Sequence, residues 1–345
     1  MIFLFLRTIA IGLFGAVIFT VIGLPLPWLL GSMIVTLLFQ LKSSWKIVWD
    51  STFRNIGLVI AGYTIGYAFT LEALQDMVNY FPMMIIINII FLLLFIGVSF
   101  AVSKWARLDI GTAMACCAPG GLQQVIVFAE EQKTLNITVV TFYQVIRLLA
   151  IITLVPFIVS SNNGGAAPDN TTESYSLILF GLLILCYIVG MACKLIKVPT
   201  AYLLGPVFFI MICNLLSIQV PRMPENLLHV AQLFIGIYVG LLLERDKLRK
   251  MKSHIVYAVG SCVILISVAF LISEWMAHYF MDFATSFLSV VPGGVDQMGI
   301  IAASIQAEVT VVTSFQLFRI LFLSIIIIPF VKYMVRRDQM KKVRE

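Results

Sequence analysis

The chain is poor in charged residues. Only 12% of its 345 residues are Asp, Glu, Lys or Arg, whereas 61% are hydrophobic. Soluble domains carry about 25% charged and roughly 45–50% apolar residues. The composition therefore excludes an ordinary water-soluble domain and predicts a protein embedded in a lipid bilayer.

The sequence also lacks the patterns of several functional classes. Its six cysteines form no CxxC pair and its three histidines are far apart, so neither a disulfide framework nor a metal site is indicated. No Walker-type loop is present, which argues against ATP-driven pumping. We therefore expect no cofactor, no metal and no enzymatic activity.

Binding to nucleic acid is not indicated either. The net charge is +6, but the basic residues lie in short loops and near the C-terminus, where the positive-inside rule expects them. No polar stretch is long enough for a DNA-reading domain.

Twelve apolar stretches follow one another along the chain. They lie near residues 3–21, 26–41, 54–73, 83–103, 110–130, 135–159, 174–193, 200–218, 227–243, 255–275, 283–306 and 309–333. A helix needs about 20 residues to cross the hydrocarbon core. Most of the stretches are long enough or nearly so.

The basic segments predict how many stretches cross. They can all be cytoplasmic only if stretches 110–130 and 283–306 each enter and leave on the same side. We therefore predict about ten transmembrane helices plus two re-entrant hairpins. In the competing arrangement each of these stretches crosses once, which places Arg245–Lys252 outside, against the positive-inside rule.

The two halves of the chain are similar in sequence. Pro25–Gly31 matches Pro199–Gly205, an offset of 174 residues, and Arg147 matches Arg319, an offset of 172. We predict an all-α polytopic membrane protein with a first repeat at 1–160, an extracellular linker at 161–173, a second repeat at 174–335 and a basic cytoplasmic tail at 336–345. Five crossings per repeat is an odd number, so the repeats are expected to be inverted.

Each repeat carries a Pro-Gly-Gly break inside apolar sequence. Proline removes a backbone donor and glycine tolerates unusual dihedrals, so a helix must stop there. Broken backbone at membrane depth is tolerated only where protein or a water-filled cavity surrounds it. The breaks predict a transport site, with the packed kink without ligand as the alternative.

The candidate substrate-binding residues lie at these breaks and in the helix after each of them. They are Pro119, Gly120, Gly121, Gln123, Gln124, Gln144, Arg147, Pro292, Gly293, Gly294, Gln297, Gln316 and Arg319. Two arginines in apolar sequence suggest an anionic solute. The alternative is that each arginine holds its broken hairpin through backbone carbonyls.

Asp296 is the one carboxylate in the apolar interior of either hairpin. Ionisable groups at that depth are costly and functional by default. Asp296 is therefore a candidate for coupling to protons or sodium, or for a structural ion pair with Arg319. A further pattern is the small-xxx-small spacing of Gly62/Gly66 and Gly236/Gly240, which predicts close helix packing.

At Pro25–Gly31, Pro199–Gly205, both Pro-Gly-Gly blocks and the Gln144/Arg147 and Gln316/Arg319 pairs, the chain resembles the AbrB family of bacterial membrane proteins. The resemblance covers nearly the whole chain. It implies a multi-pass protein of the bacterial cell membrane, here expected with both termini in the cytoplasm. Members are labelled regulators of gene expression or ammonia monooxygenases.

The first hypothesis is a secondary transporter of a small anionic or amphipathic solute, driven by protons or sodium. The second is a membrane sensor that affects gene expression indirectly, and the third is a membrane monooxygenase, for which clustered metal ligands are lacking. Expected partners are the solute, the coupling ion and the bilayer, and a homodimer is compatible with the sequence.

Overall fold

The computed structural model describes residues 2–42, 47–119, 125, 128–129, 132, 135–162, 177–196, 198 and 200–334. All regular elements in these ranges are helices. They are α1 (Ile2–Ile22), α2 (Ser32–Lys42), α3 (Ser51–Ala68), α4 (Leu71–Ala106), α5 (Ile110–Cys117), α6 (Ile137–Asn162), α7 (Leu177–Leu195), α8 (Ala201–Leu215), α9 (Glu225–Gly240), α10 (Arg245–Lys250), α11 (Ile255–Tyr279), α12 (Phe283–Val290), α13 (Val295–Ser304) and α14 (Val309–Phe322). A π-helical turn, Pro27–Gly31, precedes α2, and another, Leu323–Ile327, follows α14.

Within the described ranges, six helices are long and apolar enough to cross a bilayer. They span Leu4–Ile22, Met77–Ala106, Ile137–Ser160, Leu177–Leu195, Lys252–Tyr279 and Val309–Met334. Two shorter apolar helices, Pro27–Lys42 and Ala201–Leu215, accompany them. The protein is therefore an all-helical, multi-pass membrane protein.

Helix α4 is longer than the sequence pattern predicts. The apolar stretch begins near residue 83, but the helix begins at Leu71 and includes Pro82. The added segment is rich in Leu, Glu, Gln and Met, which favour helix even where they are not apolar. Hydropathy therefore marks the membrane-embedded part of the helix and misses its polar extension.

The chain folds into two compact units, and each draws on both sequence halves. Unit 1 contains Met1–Val78, Val155–Glu244 and Asp296–Thr313. Unit 2 contains Asn79–Leu154, Arg245–Val295 and Ser314–Glu345.

Unit 1 contains two helix pairs that make matching contacts. In one pair, Gly236 and Gly240 of α9 lie against the carbonyls of Leu29 and Met33. In the other, Gly62 and Gly66 of α3 lie against the carbonyls of Leu203 and Val207 of α8. Every residue in the second pair is the counterpart, at an offset of 174, of one in the first. The small-xxx-small glycines therefore permit close packing, as predicted.

The direction of each pair follows from the order of its contacts. The residue numbers rise together along α9 and the Leu29–Met33 segment, so these two helices are parallel, and the same holds for α3 and α8. Helices α3 and α9 are antiparallel to each other. Arg54, near the start of α3, stacks 4.6 Å from the ring of Tyr238 near the end of α9, whereas Tyr63 near the end of α3 donates to Pro221, before α9 begins.

Matching backbone conformations precede the paired helices. Leu26 has φ 49° and Thr200 has φ 47°, values that residues with a side chain rarely adopt. Each residue lies directly before a helical segment, at Pro27 and Ala201 respectively. The same unusual turn therefore starts both segments.

We predict that Gly240→Ala destabilises the protein. A Cβ atom at this position would lie 2.5 Å from the Met33 carbonyl oxygen, which belongs to rigid helical backbone. The cost of such overpacking is about 1–3 kcal/mol. The measurement is the midpoint of thermal unfolding in detergent. Gly181→Ala in α7 is the control, because a Cβ atom there meets nothing within 4 Å. Equal midpoints for the two variants would contradict the close packing.

Candidate functional site

The Pro-Gly-Gly breaks follow two short helices of unit 2, α5 and α12. Each helix begins at an aspartate cap, because Asp109 accepts from the backbone N–H of Thr112 at 2.8 Å and Asp282 from that of Thr285 at 2.9 Å. Each ends one residue before the dipeptide that leads into the break, Ala118-Pro119 or Val291-Pro292. The last carbonyls of both helices therefore need partners other than the helix itself.

A buried glutamine and arginine of α6 supply these partners for α5. Gln144 Nε2 donates to the carbonyl of Ala115 at 2.9 Å and to that of Cys116 at 3.3 Å. Arg147 Nη1 donates to the carbonyl of Ala118, and Nη2 donates to Gln144 Oε1. We call this Gln–Arg pair and its carbonyls a carbonyl clamp.

A second carbonyl clamp joins α14 to α12. Gln316 Nε2 donates to the carbonyls of Leu288 at 2.7 Å and Val291 at 3.0 Å. Arg319 Nη1 donates to Val291 at 2.7 Å and to Gln316 Oε1 at 3.1 Å. Its Nη2 donates to the carbonyls of Ser289 and Val290, both at 2.8 Å.

The clamps fix the direction of the broken segments. Gln144 contacts Ala115 and Arg147, further along α6, contacts Ala118, so α5 and α6 run in the same direction. The contacts of Gln316 with Leu288 and of Arg319 with Val291 give the same result for α12 and α14. Each short helix is therefore parallel to the long helix that follows it in the chain.

The first turn of α5 also contacts the residue that precedes α6. The backbone N–H of Asn136, directly before α6, donates to Oγ1 of Thr112, in the first turn of α5, at 3.2 Å. The segment between these residues therefore starts and ends at the same place.

Both arginines donate to backbone carbonyls at the ends of the short helices. All donors on the two Nη atoms of Arg319 are used by carbonyl oxygens of α12 and Gln316, while Nε has no described partner. Arg319 is 2% exposed and Arg147 6%. A cation is well placed at these carbonyls, because the C-terminal end of a helix is negative.

Each arginine also has a neighbour from the other half of the chain. The Arg319 guanidinium lies 5.5 Å from the ring of Phe91 in α4. Arg147 lies near Cys117 and near Cys262 of α11. The two guanidiniums also interact with each other, so this part of unit 2 carries concentrated positive charge.

Asp296 belongs to unit 1 and lies in the first turn of α13. It is 9% exposed, and Gln297 Nε2 donates to its Oδ2 at 2.9 Å. The Arg54 guanidinium interacts with the carboxylate electrostatically. The Nη donors of Arg319 are taken by carbonyls and Gln316, so the contacts described do not match the structural pair of Asp296 with Arg319.

The structure describes some of the remaining candidate substrate-binding residues and not others. Pro119 and Pro292 are buried, and Gly293 and Gly294 are half-buried. Gly120, Gly121, Gln123 and Gln124 lie outside the described residues.

Three buried polar residues were missed from the sequence. Gln232 of α9 donates to Oγ of Ser304 at the end of α13 at 2.7 Å, and its only sequence signal is an amide inside an apolar stretch. Ser286 and Ser289 of α12 have buried hydroxyls without a described partner. Among the residues that the structure describes, no group of three or more His, Cys, Asp or Glu could hold a metal ion.

The fold and the clamps define a class of protein: a multi-pass helical membrane protein in which two short helices end at buried carbonyl clamps. A family model described as "Transition state regulatory protein AbrB" matches residues 28–335. The chain belongs to this AbrB family.

Two relatives cover most of the chain at low identity. "Uncharacterized protein YhjN" of Bacillus subtilis (strain 168) is 23% identical over 349 residues, covering 93% of this chain and 91% of the relative. "Putative regulator AbrB" of Escherichia coli (strain K12) is 24% identical over 308 residues, which is 88% of each chain.

We predict that Arg319→Leu strongly destabilises the protein. The substitution leaves three carbonyls of α12 without this donor, at about 1–3 kcal/mol for each buried group that stays unsatisfied. Arg319→Lys keeps the charge but not the fork of donors and should fall between wild type and Arg319→Leu. The measurement is the thermal unfolding midpoint in detergent. A stable Arg319→Leu protein would show that the guanidinium does not hold the hairpin.

Proposed function

We propose that the protein is a secondary transporter that moves a small anionic or amphipathic solute by alternating access. In this proposal, two inverted repeats contribute ten crossings and two re-entrant hairpins, and the solute binds at the hairpin tips. The observation that carries the proposal is the pair of carbonyl clamps, each holding a broken helix parallel to the helix that follows it.

The clamp geometry supports re-entrant hairpins. If the stretch from α5 to α6 crossed the membrane once, α6 would run antiparallel to α5, and Thr112 and Asn136 would lie on opposite sides. A hydrocarbon core of about 30 Å would then separate them. Their 3.2 Å hydrogen bond and the parallel direction of both clamped pairs favour a return to the same side.

The helix directions in unit 1 support the inverted repeats. Helices α3 and α9 carry the matching Gly62/Gly66 and Gly236/Gly240 pairs, so they occupy the same place in the two repeats. They are antiparallel, which is the relation that an inversion requires. Inverted repeats can exchange two conformations and thereby open one site to either side of the membrane.

The charges support an anionic solute and an ion-coupled mechanism. Two buried guanidiniums that interact with each other give the clamped region a positive potential. Asp296, the buried carboxylate of the same hairpin, supplies the group for the coupling ion.

The name of the Escherichia coli relative favours a second candidate function, a membrane sensor that binds the same solute without moving it. Saturable binding without flux is its signature. Location in the bacterial inner membrane with cytoplasmic termini belongs to both proposals.

We predict opposite accessibility for the segment that precedes α11 and the segment that precedes the apolar part of α4. In a variant without native cysteines, Ser253→Cys before α11 should react with an impermeant thiol reagent only from the cytoplasmic side. Gln75→Cys, before the apolar part of α4, should react only from outside. Labelling of both positions from the same side would contradict the inversion.

We predict solute flux into proteoliposomes that responds to an imposed ion gradient. A thermal-shift screen of small carboxylates and amphipathic solutes on the purified protein selects the solute. Asp296→Asn should remove the dependence of flux on the coupling ion, because the neutral amide neither carries a proton nor balances a cation. Empty liposomes are the control. Binding without flux in either gradient would favour the sensor.

A further inference from the structure

The carboxylate of Asp296 differs from the other aspartates that begin helices in this chain. Asp50, Asp109 and Asp282 are exposed N-caps that accept from a backbone N–H two or three residues later. Asp296 lies inside the first turn of α13 and is buried. Its carboxylate accepts from the backbone N–H groups of Asp296 and Gln297, as an acidic residue in a first helical turn does, but its burial distinguishes it from the exposed caps.

Its neighbour Gln297 has an unused acceptor. Aspartate oxygens accept hydrogen bonds, so the Gln297 amide turns its nitrogen towards Asp296, at 2.9 Å. The oxygen of that amide, Oε1, is buried and has no partner among the described residues, although Gln297 is only 5% exposed. An unsatisfied buried acceptor costs about 1–3 kcal/mol.

Among the described residues, no cationic side chain forms an ion pair within 4.0 Å of the Asp296 carboxylate. Among the described residues, the cation that acts on it is Arg54, and this interaction is electrostatic rather than an ion pair within 4.0 Å. The Arg54 guanidinium is stacked on Tyr238. A buried carboxylate without a close counter-charge is costly, so it requires a cation or a proton.

We propose that Asp296 and Gln297 bind a small monovalent cation, sodium, through the carboxylate and Gln297 Oε1. The inference rests on the proposed function, because it identifies the coupling ion of that transporter. In the described orientation of the Gln297 amide, a cation contacts both the carboxylate and Oε1. A protonated carboxyl group satisfies Oε1 only if the amide turns over, so that the O–H donates to that oxygen. Hard cations prefer oxygen ligands, and one carboxylate balances one positive charge.

The test measures binding of radioactive sodium to the full-length protein purified in detergent, with choline chloride keeping the ionic strength constant. Wild type should bind sodium saturably, and Asp296→Asn should lose this binding. Gln297→Leu should weaken binding about tenfold or more, as expected for losing one oxygen that contacts a charge. Gln232→Leu, which removes another buried amide of unit 1, is the matched control and should bind like wild type.

Arg54→Gln provides a second test, because it is expected to raise the affinity for sodium whereas Asp296→Asn and Gln297→Leu lower it. Removing a positive charge that acts on Asp296 should tighten sodium binding. A merely structural role of Asp296 predicts no such increase. This variant and Gln297→Leu keep the inference testable if Asp296→Asn does not fold.

The outcomes separate this inference from the proposed function. Absence of sodium binding to wild type overturns the inference, as does binding by Gln297→Leu equal to that of wild type. Flux that is driven by a pH gradient in the absence of sodium also overturns the sodium site, but it agrees with the proposed transport function. Sodium binding with the expected variant pattern but without flux supports the site and overturns transport. Potassium that competes equally with sodium would show a general cation site and would overturn the choice of sodium.

Discussion

The structure depends on one requirement: backbone carbonyls freed at a helix break inside a membrane must find donors. Water cannot supply them in the hydrocarbon core, and an unsatisfied carbonyl there costs several kcal/mol. Gln144 with Arg147, and Gln316 with Arg319, meet this requirement in the two hairpins. A guanidinium suits the task because its donors form a fixed planar fork and it keeps its charge. Because the arginines satisfy these carbonyls, the helices can end inside the membrane, at the positions where the solute is proposed to bind.

Close contact between helix backbones is also found in unit 1. Glycines bring α3 onto α8 and α9 onto the Leu29–Met33 segment, so that helices meet at their backbones. The unit with this close backbone packing also contains Asp296, Gln297 and Arg54. In the proposed mechanism, the charges in the two units then have different tasks. The arginines of unit 2 fix hairpins and set a positive potential, and the carboxylate of unit 1 takes the ion.

Much of the architecture could be predicted from residues alone. Apolar stretches located the helices, and the Pro-Gly-Gly blocks located the breaks that follow α5 and α12. The recurring Gln144/Arg147 and Gln316/Arg319 spacing identified the clamp residues without showing their partners. The spacing places glutamine and arginine side by side on a helix surface. It does not show whether they face a solute or a carbonyl.

The sequence by itself determined that this protein lies in a membrane, that its two halves carry the same motifs and where its helices must stop. These properties follow from composition and local backbone chemistry. Only the tertiary structure decided that Arg319 contacts α12, that Gln297 rather than an arginine contacts Asp296, and that α3 and α9 are antiparallel. Helices that are apolar on every side have no amphipathic pattern to show which face meets which neighbour. Which helix faces contact each other is determined when segments that are distant in sequence pack together.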